Sequence, residues 1–292
     1  MSVVWIDGEI VDAKRARIPV TDHGLLYGDG IFEGIRIRER RLFRLERHLD
    51  RFAVGAKAIG LALPLDREAI RRVVLDTARA FGEDDAYVRL IATRGEGALG
   101  VDPTTCSNPR IVCILDGIRL YPEEKLARGI DLVTSSWRRP PPDVLDPRVK
   151  SLNYLNNVLA KQEARRAGAD EALLLNAHGH VAEAAVANVF AVRDGCLLTP
   201  PGSDGALEGI NRATVLELAG PLGIPAREAT LGRVDLHAAA EVFLTGSGAG
   251  LVPVRSLDGQ PIGQGAPGPV FAKILAAFLD AAPGLGTPLD AA

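Results

Sequence analysis

The segment "RRPPPDVLDPR", residues 138–148, holds four prolines in eleven residues. Proline has no amide hydrogen and fixes φ, so this segment is neither a helix nor a central strand. Patterned elements lie on both sides of it. The chain is therefore predicted to form a small N-terminal α/β domain over 1–135, an interdomain loop over 136–147 and a large C-terminal domain over 148–292.

Outside the proline-rich segment, stretches with the helical spacing of apolar residues alternate with stretches that have the two-residue spacing of strands. This alternation predicts a mixed α and β (α+β) fold. Amphipathic helices that end at glycine are predicted for "LERHLDRFAVGAKAIG" and "DREAIRRVVLDTARAFG". Strands are predicted for "AYVRLIATRG", "PRIVCILDGI" and "GIDLVTSSW", and "ANVFAVRDGCLLTP" is predicted to be a hairpin that turns at Asp194-Gly195.

Composition and charge argue against nucleic-acid binding, membrane binding and a metal site. The 292 residues are 47% hydrophobic and carry a net charge of -3, which gives no reason to expect nucleic acid or an anionic membrane as a partner. The N-terminus lacks the layout of a signal peptide, and no apolar run of about 20 residues is present. The three cysteines and five histidines have no metal-ligand spacing. We therefore expect a cytoplasmic protein without a metal site.

Lys150 is one of only six lysines, and it stands between the proline-rich segment and a predicted helix. The residues that follow, "SLNYLNN", are polar but uncharged. An amine shielded in such surroundings can act as a nucleophile or form a Schiff base. A solvated lysine near the start of a helix is the commoner case, and this stretch alone leaves both interpretations open.

Glu183 is an isolated carboxylate among apolar and small residues in "VAEAAVANVF". Burial of a carboxylate is costly unless it has a partner. A protonated ring nitrogen of a cofactor would serve, and so would one of the many arginines.

Three stretches could bind an anion. In "LFRLERHLDRF", His48 and Arg51 lie on one face of a helix, although surface ion pairs explain most such charges. The turn in "FLTGSGAGL" and the helix start in "LEGINRATV" offer backbone N–H groups to phosphate. A dinucleotide fingerprint is poorly supported, because Pro253 and a predicted strand follow that turn where a helix is required.

Tyrosine and arginine recur in the strand-like segments "HGLLYGDGIFEGIR" and "DAYVRLIATRG". Partly buried Tyr and Arg side chains usually bind something, which here is either a substrate carboxylate or an internal partner. Together, an unusual lysine, an isolated glutamate, a helix arginine and two anion-holding turns are the parts of a pyridoxal phosphate site.

These motifs resemble the class IV (fold type IV) pyridoxal-phosphate aminotransferases, which include branched-chain aminotransferases, D-amino acid aminotransferases and aminodeoxychorismate lyases. The resemblance runs from about Trp5 to Pro269 and is strongest to the branched-chain members. It implies the two-domain fold of the D-amino acid aminotransferase-like proteins, with pyridoxal 5'-phosphate bound to the large domain. The motifs that carry it are "YGDGIFEGIR", "YVRLIATRGEGALGVDP", "VKSLNYLNNVLAKQEA", "ANVF", "EGINRATV" and "VFLTGSGAGLVPVRSLDG".

The resemblance implies a role for each cofactor residue. Lys150 would form a Schiff base with the cofactor and then act as the base, and Glu183 would keep the pyridine nitrogen protonated. Tyr154 would bond the ring hydroxyl, and Leu207 would pack on the ring face. The phosphate would be bound by Arg51, Ile210, Asn211, Gly246 and Ser247.

The substrate residues implied by the resemblance are Tyr27, Phe32, Arg36, Tyr87, Arg89, Trp137, Gly248 and Ala249. Tyr87 and the turn at 247–249 would hold the α-carboxylate, and Arg89 would pair with the distal carboxylate of glutamate. Trp137 would close an apolar pocket from the interdomain loop. Leu99 and Val101 would come from the other subunit of a homodimer or higher homo-oligomer.

The implied reaction moves an amino group from L-leucine, isoleucine or valine to 2-oxoglutarate. A D-amino acid or (R)-amine transaminase of the same fold is the alternative. It is disfavoured because Glu96 stands where those enzymes have a histidine, two residues after Arg94. An aminodeoxychorismate lyase is less well supported, because the apolar pocket suits small amino acids better. The retention of Lys150, Glu183 and Arg51 speaks against a non-catalytic protein.

Four positions depart from the family pattern and bear on substrate range. Ala182 and Ala184 flank the glutamate. The family usually has Thr, Ser or Ala before this glutamate and Gly after it. Asn211 stands where Thr is common, and Gly250 where branched-chain enzymes often have Glu.

Overall fold

A computed structural model describes residues 2–265 and 267–290 of the chain. The backbone divides into two compact units. Unit 1 comprises the residues up to Ile118, Val149–Asn153 and the residues from Ala282 onward. Unit 2 comprises Arg119–Arg148 and Tyr154–Ala281. Helices and strands occur in both units, which confirms the predicted mixed α and β class.

The sheet of unit 1 is antiparallel throughout the pairings that the structure describes. Its strands are β1 (Val3–Ile6), β2 (Glu9–Asp12), β3 (Gly30–Arg38), β4 (Arg41–Phe43), β5 (Ala86–Thr93), β6 (Arg110–Asp116) and β16 (Gly286–Pro288). Their order is β16-β4-β3-β5-β6-β1-β2, so β3 and β5 lie in the interior of the sheet.

The helices of unit 1 are α1 (His23–Tyr27), α2 (Leu45–Ala58) and α3 (Arg67–Phe81). Of these, α2 and α3 cover one face of the sheet with apolar side chains. Leu49 and Phe52 of α2 are buried in the core, at the spacing that one helix face requires. The Asp66 carboxylate accepts a hydrogen bond of 2.7 Å from the third amide of α3, and Gly82 ends the helix in the left-handed conformation. The predictions for these last two helices are confirmed.

Unit 2 contains a second, mixed sheet. Its strands are β7 (Ile130–Arg138), β8 (Glu171–Leu175), β9 (Val181–Ala184), β10 (Asn188–Arg193), β11 (Cys196–Thr199), β12 (Ala226–Glu228), β13 (Glu241–Gly246), β14 (Gly250–Leu257) and β15 (Gln260–Pro261). The order is β12-β11-β10-β13-β14-β7-β8-β9, with β15 on β14. The predicted hairpin is confirmed as β10 and β11, which pair antiparallel.

The helices of unit 2 have between four and 17 residues, and the shortest lies in the proline-rich segment, where the prediction of no helix is wrong because proline is tolerated in the first turn of a helix. They are α4 (Glu123–Arg128), α5 (Pro142–Leu145), α6 (Leu155–Arg166), α7 (Ile210–Ala219), α8 (Arg233–His237) and α9 (Pro269–Leu285), whose last residues belong to unit 1. Phe190 of β10 and Phe243 of β13 stack at 5.1 Å between ring centroids in the core. The sheet thus gives unit 2 a rigid base from which its loops extend.

The division between the units differs from the predicted domain boundaries of 135 and 147. The strand β7 pairs in parallel with both β8 and β14, so Arg119–Arg148 belongs to unit 2. Trp137 therefore lies at the end of a strand in unit 2 rather than in an interdomain loop. Val149–Asn153 returns to unit 1 because its backbone bonds to β3, and β16 returns because it pairs with β4. None of these partners is close in sequence.

Replacement of Ile35 by alanine should lower the free energy of unfolding by about 2–5 kcal/mol, because this β3 side chain has no exposed surface and would leave a cavity. Val54→Ala on α2, where the side chain is 67% exposed, should change it by no more than about 0.5 kcal/mol. Urea denaturation of both variants checks the assignment of the core. Equal losses for the two variants would contradict it.

Candidate active site

The strands β3 and β5 present five residues on one face of the unit 1 sheet. The register places Arg36 opposite Tyr87 and Gly34 opposite Arg89. Phe32 precedes Gly34 by two residues along β3. Opposite residues and every second residue share a face. The Arg89 guanidinium lies 4.5 Å from the centroid of the Phe32 ring. A β-carbon at Gly34 would lie 1.8 Å from the Tyr87 hydroxyl, so only glycine leaves room for that tyrosine.

Lys150 is held against this strand by the backbone. The Phe32 amide donates to the Lys150 carbonyl and the Leu152 amide donates to the Gly30 carbonyl, each over 2.9 Å. The Lys150 Nζ lies 4.5 Å from the centroid of the Phe32 ring. The amine is therefore fixed beside the face that carries four of the predicted substrate residues.

The opposite face of β3 buries a charged cluster. Glu33 accepts hydrogen bonds from Nε and Nη2 of Arg51, at 2.7 and 2.8 Å, and from Nδ1 of His48 at 2.7 Å. Burial by itself would raise the pKa of Glu33, but the charges and hydrogen bonds of Arg51 and His48 outweigh it and lower the pKa to about 2. Burial lowers the pKa of His48. Arg51, the predicted phosphate ligand, thus has its orientation fixed by a buried carboxylate.

Three other predicted residues of unit 1 are exposed. Tyr27 lies at the end of α1, with its ring edge-on to His23 at 4.9 Å between ring centroids. Leu99 and Val101 are 84% and 80% exposed. The structure places all three on the surface of unit 1.

In unit 2, Glu183 lies in β9 and is buried. Its Oε1 pairs with Nη2 of Arg139 at 2.9 Å. Its Oε2 accepts from the Asn188 side-chain amide and from the Leu207 backbone amide, both at 3.1 Å. The arginine partner that the sequence left open is present in Arg139, although local patterns gave no reason to single it out. Asn188 also donates to the Leu207 carbonyl at 2.7 Å and so fixes the loop that carries this residue.

The start of α7 and the end of β13 form a second group in unit 2. Gly209 precedes α7, so the amides of Ile210 and Asn211 lie in its first turn. The Asn211 side chain donates to the Gly246 carbonyl at 3.0 Å, which joins the two elements. The Thr245 hydroxyl is buried and has no hydrogen-bond partner among the described residues. First-turn helix amides and a buried hydroxyl are donors that suit phosphate. The sequence predicted Ile210, Asn211 and Gly246 but missed Thr245.

The turn at 247–249 joins β13 to β14 and borders a small cleft. Gly248, Ala249 and Gly250 line one part of the cleft, and the remainder is mostly apolar, with Leu120, Tyr121, Val186, Ala187, Leu244, Gly246 and Val252. The predicted residues Tyr154, which precedes α6, and Trp137, which is exposed, also belong to unit 2.

Comparison with known proteins identifies the family. The sequence profile described as amino-transferase class IV matches residues 30–257. The chain belongs to the class IV aminotransferases. It is 45% identical over 277 residues to a putative branched-chain-amino-acid aminotransferase of Methanocaldococcus jannaschii, with 95% of each chain covered. The resemblance predicted from the motifs is confirmed.

Solved structures agree with this class IV aminotransferase over almost the whole chain. The branched-chain amino acid aminotransferase of Escherichia coli superimposes with a TM-score of 0.95 at 34% identity and covers 99% of both chains. A Thermoproteus uzoniensis branched-chain aminotransferase with norvaline gives 0.92 at 35% identity and covers 98% of this chain and 99% of the other. A T.th. branched-chain amino acid aminotransferase complexed with N-(5'-phosphopyridoxyl)-L-glutamate gives 0.92 at 35% identity, with 99% and 98% covered. The predicted fold type is confirmed.

Each unit carries residues of the kinds that suit pyridoxal phosphate. In unit 1, the Lys150 amine suits the aldehyde of the cofactor. In unit 2, the Glu183 carboxylate suits its ring nitrogen, and the first amides of α7 and the Thr245 hydroxyl suit its phosphate. Within the ranges 2–265 and 267–290, no group of three or more His, Cys, Asp or Glu side chains could hold a metal ion. In the same ranges, no helix is both long and apolar enough to cross a membrane.

The free energy of unfolding should fall in two steps as the pH is lowered. Buried His48 stays neutral while the unfolded chain takes up a proton below about pH 6.5, so stability drops there first. Glu33 stays ionised while the unfolded chain takes up a proton below pH 4.5, which removes a further ~3 kcal/mol by about pH 2. Urea unfolding between pH 7.5 and 2 measures both steps.

The His48→Gln variant should lose the first step, and His178→Gln, at an exposed position, should keep it. A His48→Gln protein that loses as much stability between pH 7.5 and 5.5 as the wild type would show that another group titrates there.

Proposed function

We propose that this chain transfers the amino group of L-leucine, L-isoleucine or L-valine to 2-oxoglutarate with pyridoxal phosphate as cofactor. The observation that carries the proposal is Lys150 in a class IV aminotransferase: two hydrogen bonds hold its backbone segment on β3, and its amine lies 4.5 Å from the centroid of the Phe32 ring. The names of the relatives support the substrate class. When bound, the cofactor supplies an electron sink for the pair left on the substrate carbon after its proton departs.

Lys150 has two roles in this proposal. Its amine would hold the cofactor covalently in the resting enzyme. When free, its Nζ would accept the proton of the substrate Cα and pass it to the cofactor carbon that bonds the transferred nitrogen. The backbone hydrogen bonds at Lys150 and Leu152 fix the segment from which this side chain extends, and so limit where its amine can reach.

The anionic and cationic ends of the cofactor have separate partners. Glu183 accepts the ring N–H, and Tyr154 bonds the ring hydroxyl. Leu207 packs on the ring. Arg51 and the donors at 210–211 and 246–247 hold the phosphate. Glu33 supports this role for Arg51, because its carboxylate accepts hydrogen bonds from Nε and Nη2 and so fixes the orientation of the guanidinium.

The substrate contacts follow from the shared face of β3 and β5. Tyr87, with the turn at 247–249, holds the α-carboxylate, and Arg89 pairs with the second carboxylate of glutamate. Phe32 supplies apolar surface for a branched side chain, and Arg36, Tyr27 and Trp137 complete the predicted set. The T.th. relative is complexed with a glutamate adduct of the cofactor, which supports glutamate as one of the two amino acids.

The contacts of Arg94 disfavour the D-amino acid alternative, in which this arginine would bind the substrate carboxylate. Its Nε and Nη2 both pair with Asp29, at 2.5 and 2.9 Å. Its Nη2 and Nη1 also donate to the Ile59 and Gly60 carbonyls at 2.7 and 2.8 Å. Glu96, at the position of the expected histidine, pairs with Arg110 at 2.9 Å. Both positions thus serve the internal structure of unit 1.

We also propose that the chain acts as a cytoplasmic homodimer or higher homo-oligomer. Large apolar side chains are exposed on unit 1 at Leu25, Tyr27, Leu99 and Val101. Apolar side chains exposed next to one another favour a protein contact, and Leu99 and Val101 lie two residues apart in one loop. The proposal assigns Leu99 and Val101 to the substrate site of the other subunit.

A half-reaction screen tests the function. Holoenzyme mixed with L-leucine should lose the absorption of bound pyridoxal phosphate and gain that of pyridoxamine phosphate, whereas D-alanine and (R)-1-phenylethylamine should leave the spectrum unchanged. Lys150→Ala should abolish turnover, and Lys57→Ala, at an exposed helix position, should not. A response to D-alanine alone, or turnover by Lys150→Ala at the wild-type rate, would overturn the assignment.

A further inference from the structure

Arg139 lies at the start of the proline-rich segment and is buried, with only 6% of its surface exposed. All three guanidinium nitrogens have partners. Nη2 pairs with Glu183 at 2.9 Å, Nε donates to the Gly205 carbonyl at 3.2 Å, and Nη1 donates to the Asn157 Oδ1 at 3.3 Å. The guanidinium is therefore fixed in position and in orientation against the carboxylate.

The partners of Arg139 are themselves fixed. The Asn157 side chain donates to the Ala185 carbonyl at 2.6 Å, which turns its oxygen toward Arg139. Gly205 has a φ of +99°, and a β-carbon there would lie 3.1 Å from Cγ of Arg139. Three separate parts of unit 2, namely α6, the loop at 205 and β9, thus converge on one side chain.

Stability alone does not explain this arrangement. The loss of solvation on burying an ion pair roughly offsets the attraction between its charges, and apolar replacements are often no less stable. What the pair does provide is a carboxylate that accepts hydrogen bonds at both oxygens, from Arg139, Asn188 and Leu207. Each of these donors favours the ionised form of Glu183.

We propose that Arg139 is a positioning residue that keeps Glu183 ionised, so that the proton shared with the cofactor's ring nitrogen stays on the nitrogen. The inference rests on the proposed function, which assigns the ring nitrogen to Glu183. A carboxylate beside a fixed cation binds a proton less strongly, so the ring nitrogen keeps it.

The experiment compares Arg139→Gln and Arg139→Lys with the matched control Arg138→Gln. Arg138 is the preceding residue, is exposed and donates only to the Ser135 and Ser136 carbonyls among the contacts described. Each apoenzyme is loaded with pyridoxal phosphate that is ¹⁵N-labelled in the ring, and the ¹⁵N chemical shift reports the protonation of that nitrogen. The affinity for the cofactor and the separate values of kcat and KM for L-leucine are measured on the same samples.

Arg139→Gln should move the ring signal from the protonated toward the unprotonated position and lower kcat by about 10–100-fold, the effect of one charge-assisted hydrogen bond, with KM changed far less. Arg139→Lys keeps the charge and should restore most of the protonated signal, and Arg138→Gln should match the wild type. An Arg139→Gln protein with a wild-type ring signal, or an Arg139→Lys protein no better than Arg139→Gln, would overturn the proposal.

A double-mutant cycle covers the case in which Arg139→Gln fails to fold around an unpaired Glu183. Glu183→Gln and Glu183→Gln/Arg139→Gln both lack that charge. Because Arg139 acts through Glu183, the two should share the same ring signal and kcat, and a further large loss in the double variant would contradict the proposal. The wild-type reaction with L-leucine tests the proposed function separately, since the ring signal is measured without any substrate.

Discussion

The backbone pairing of residues 150–152 with β3 is the constraint on which the proposed chemistry depends. Two amide hydrogen bonds of 2.9 Å hold this short segment on an interior strand of the unit 1 sheet. A lysine in a free loop would sample many positions, whereas Lys150 takes its position from β3. The same strand carries Phe32, and its neighbour β5 carries Tyr87 and Arg89 on the same face. One sheet thus defines the nucleophile and the predicted carboxylate ligands together.

Buried carboxylates orient arginines in both units. Glu33 receives two nitrogens of Arg51 and one of His48, and Glu183 receives Arg139 with two amides. In unit 1 the carboxylate fixes the arginine that the proposal assigns to phosphate. In unit 2 the relation is reversed, because the arginine fixes the carboxylate. Each pair gives a buried charged group a single orientation.

The sequence predicted those parts of the fold and site that depend on local patterns. The helices α2 and α3, the β10–β11 hairpin and the mixed α and β class follow from periodicity, caps and a turn, and all are confirmed. Lys150 and Glu183 could be singled out because each is isolated from residues of its own type. The family then gave them roles.

What the sequence could not predict depends on partners that are distant along the chain. The unit boundary falls after Ile118 because β7 pairs with strands that follow much later. Arg139 lies in a segment whose prolines indicate a surface loop, yet β9, α6 and the loop at 205 bury it. No local pattern contains that information.

Arg94 shows why a matching residue is not yet a matching function. It stands at the position where D-amino acid enzymes bind the substrate carboxylate, and the sequence could exclude that role only through its neighbour Glu96. The structure gives a direct reason, since Asp29 and two backbone carbonyls engage three of its nitrogens inside unit 1. Because all three nitrogens already donate inside unit 1, this guanidinium has few N–H groups left for a second carboxylate. In the proposed function the carboxylates are therefore bound by other residues, namely Tyr87 and Arg89, which share one face of β3 and β5.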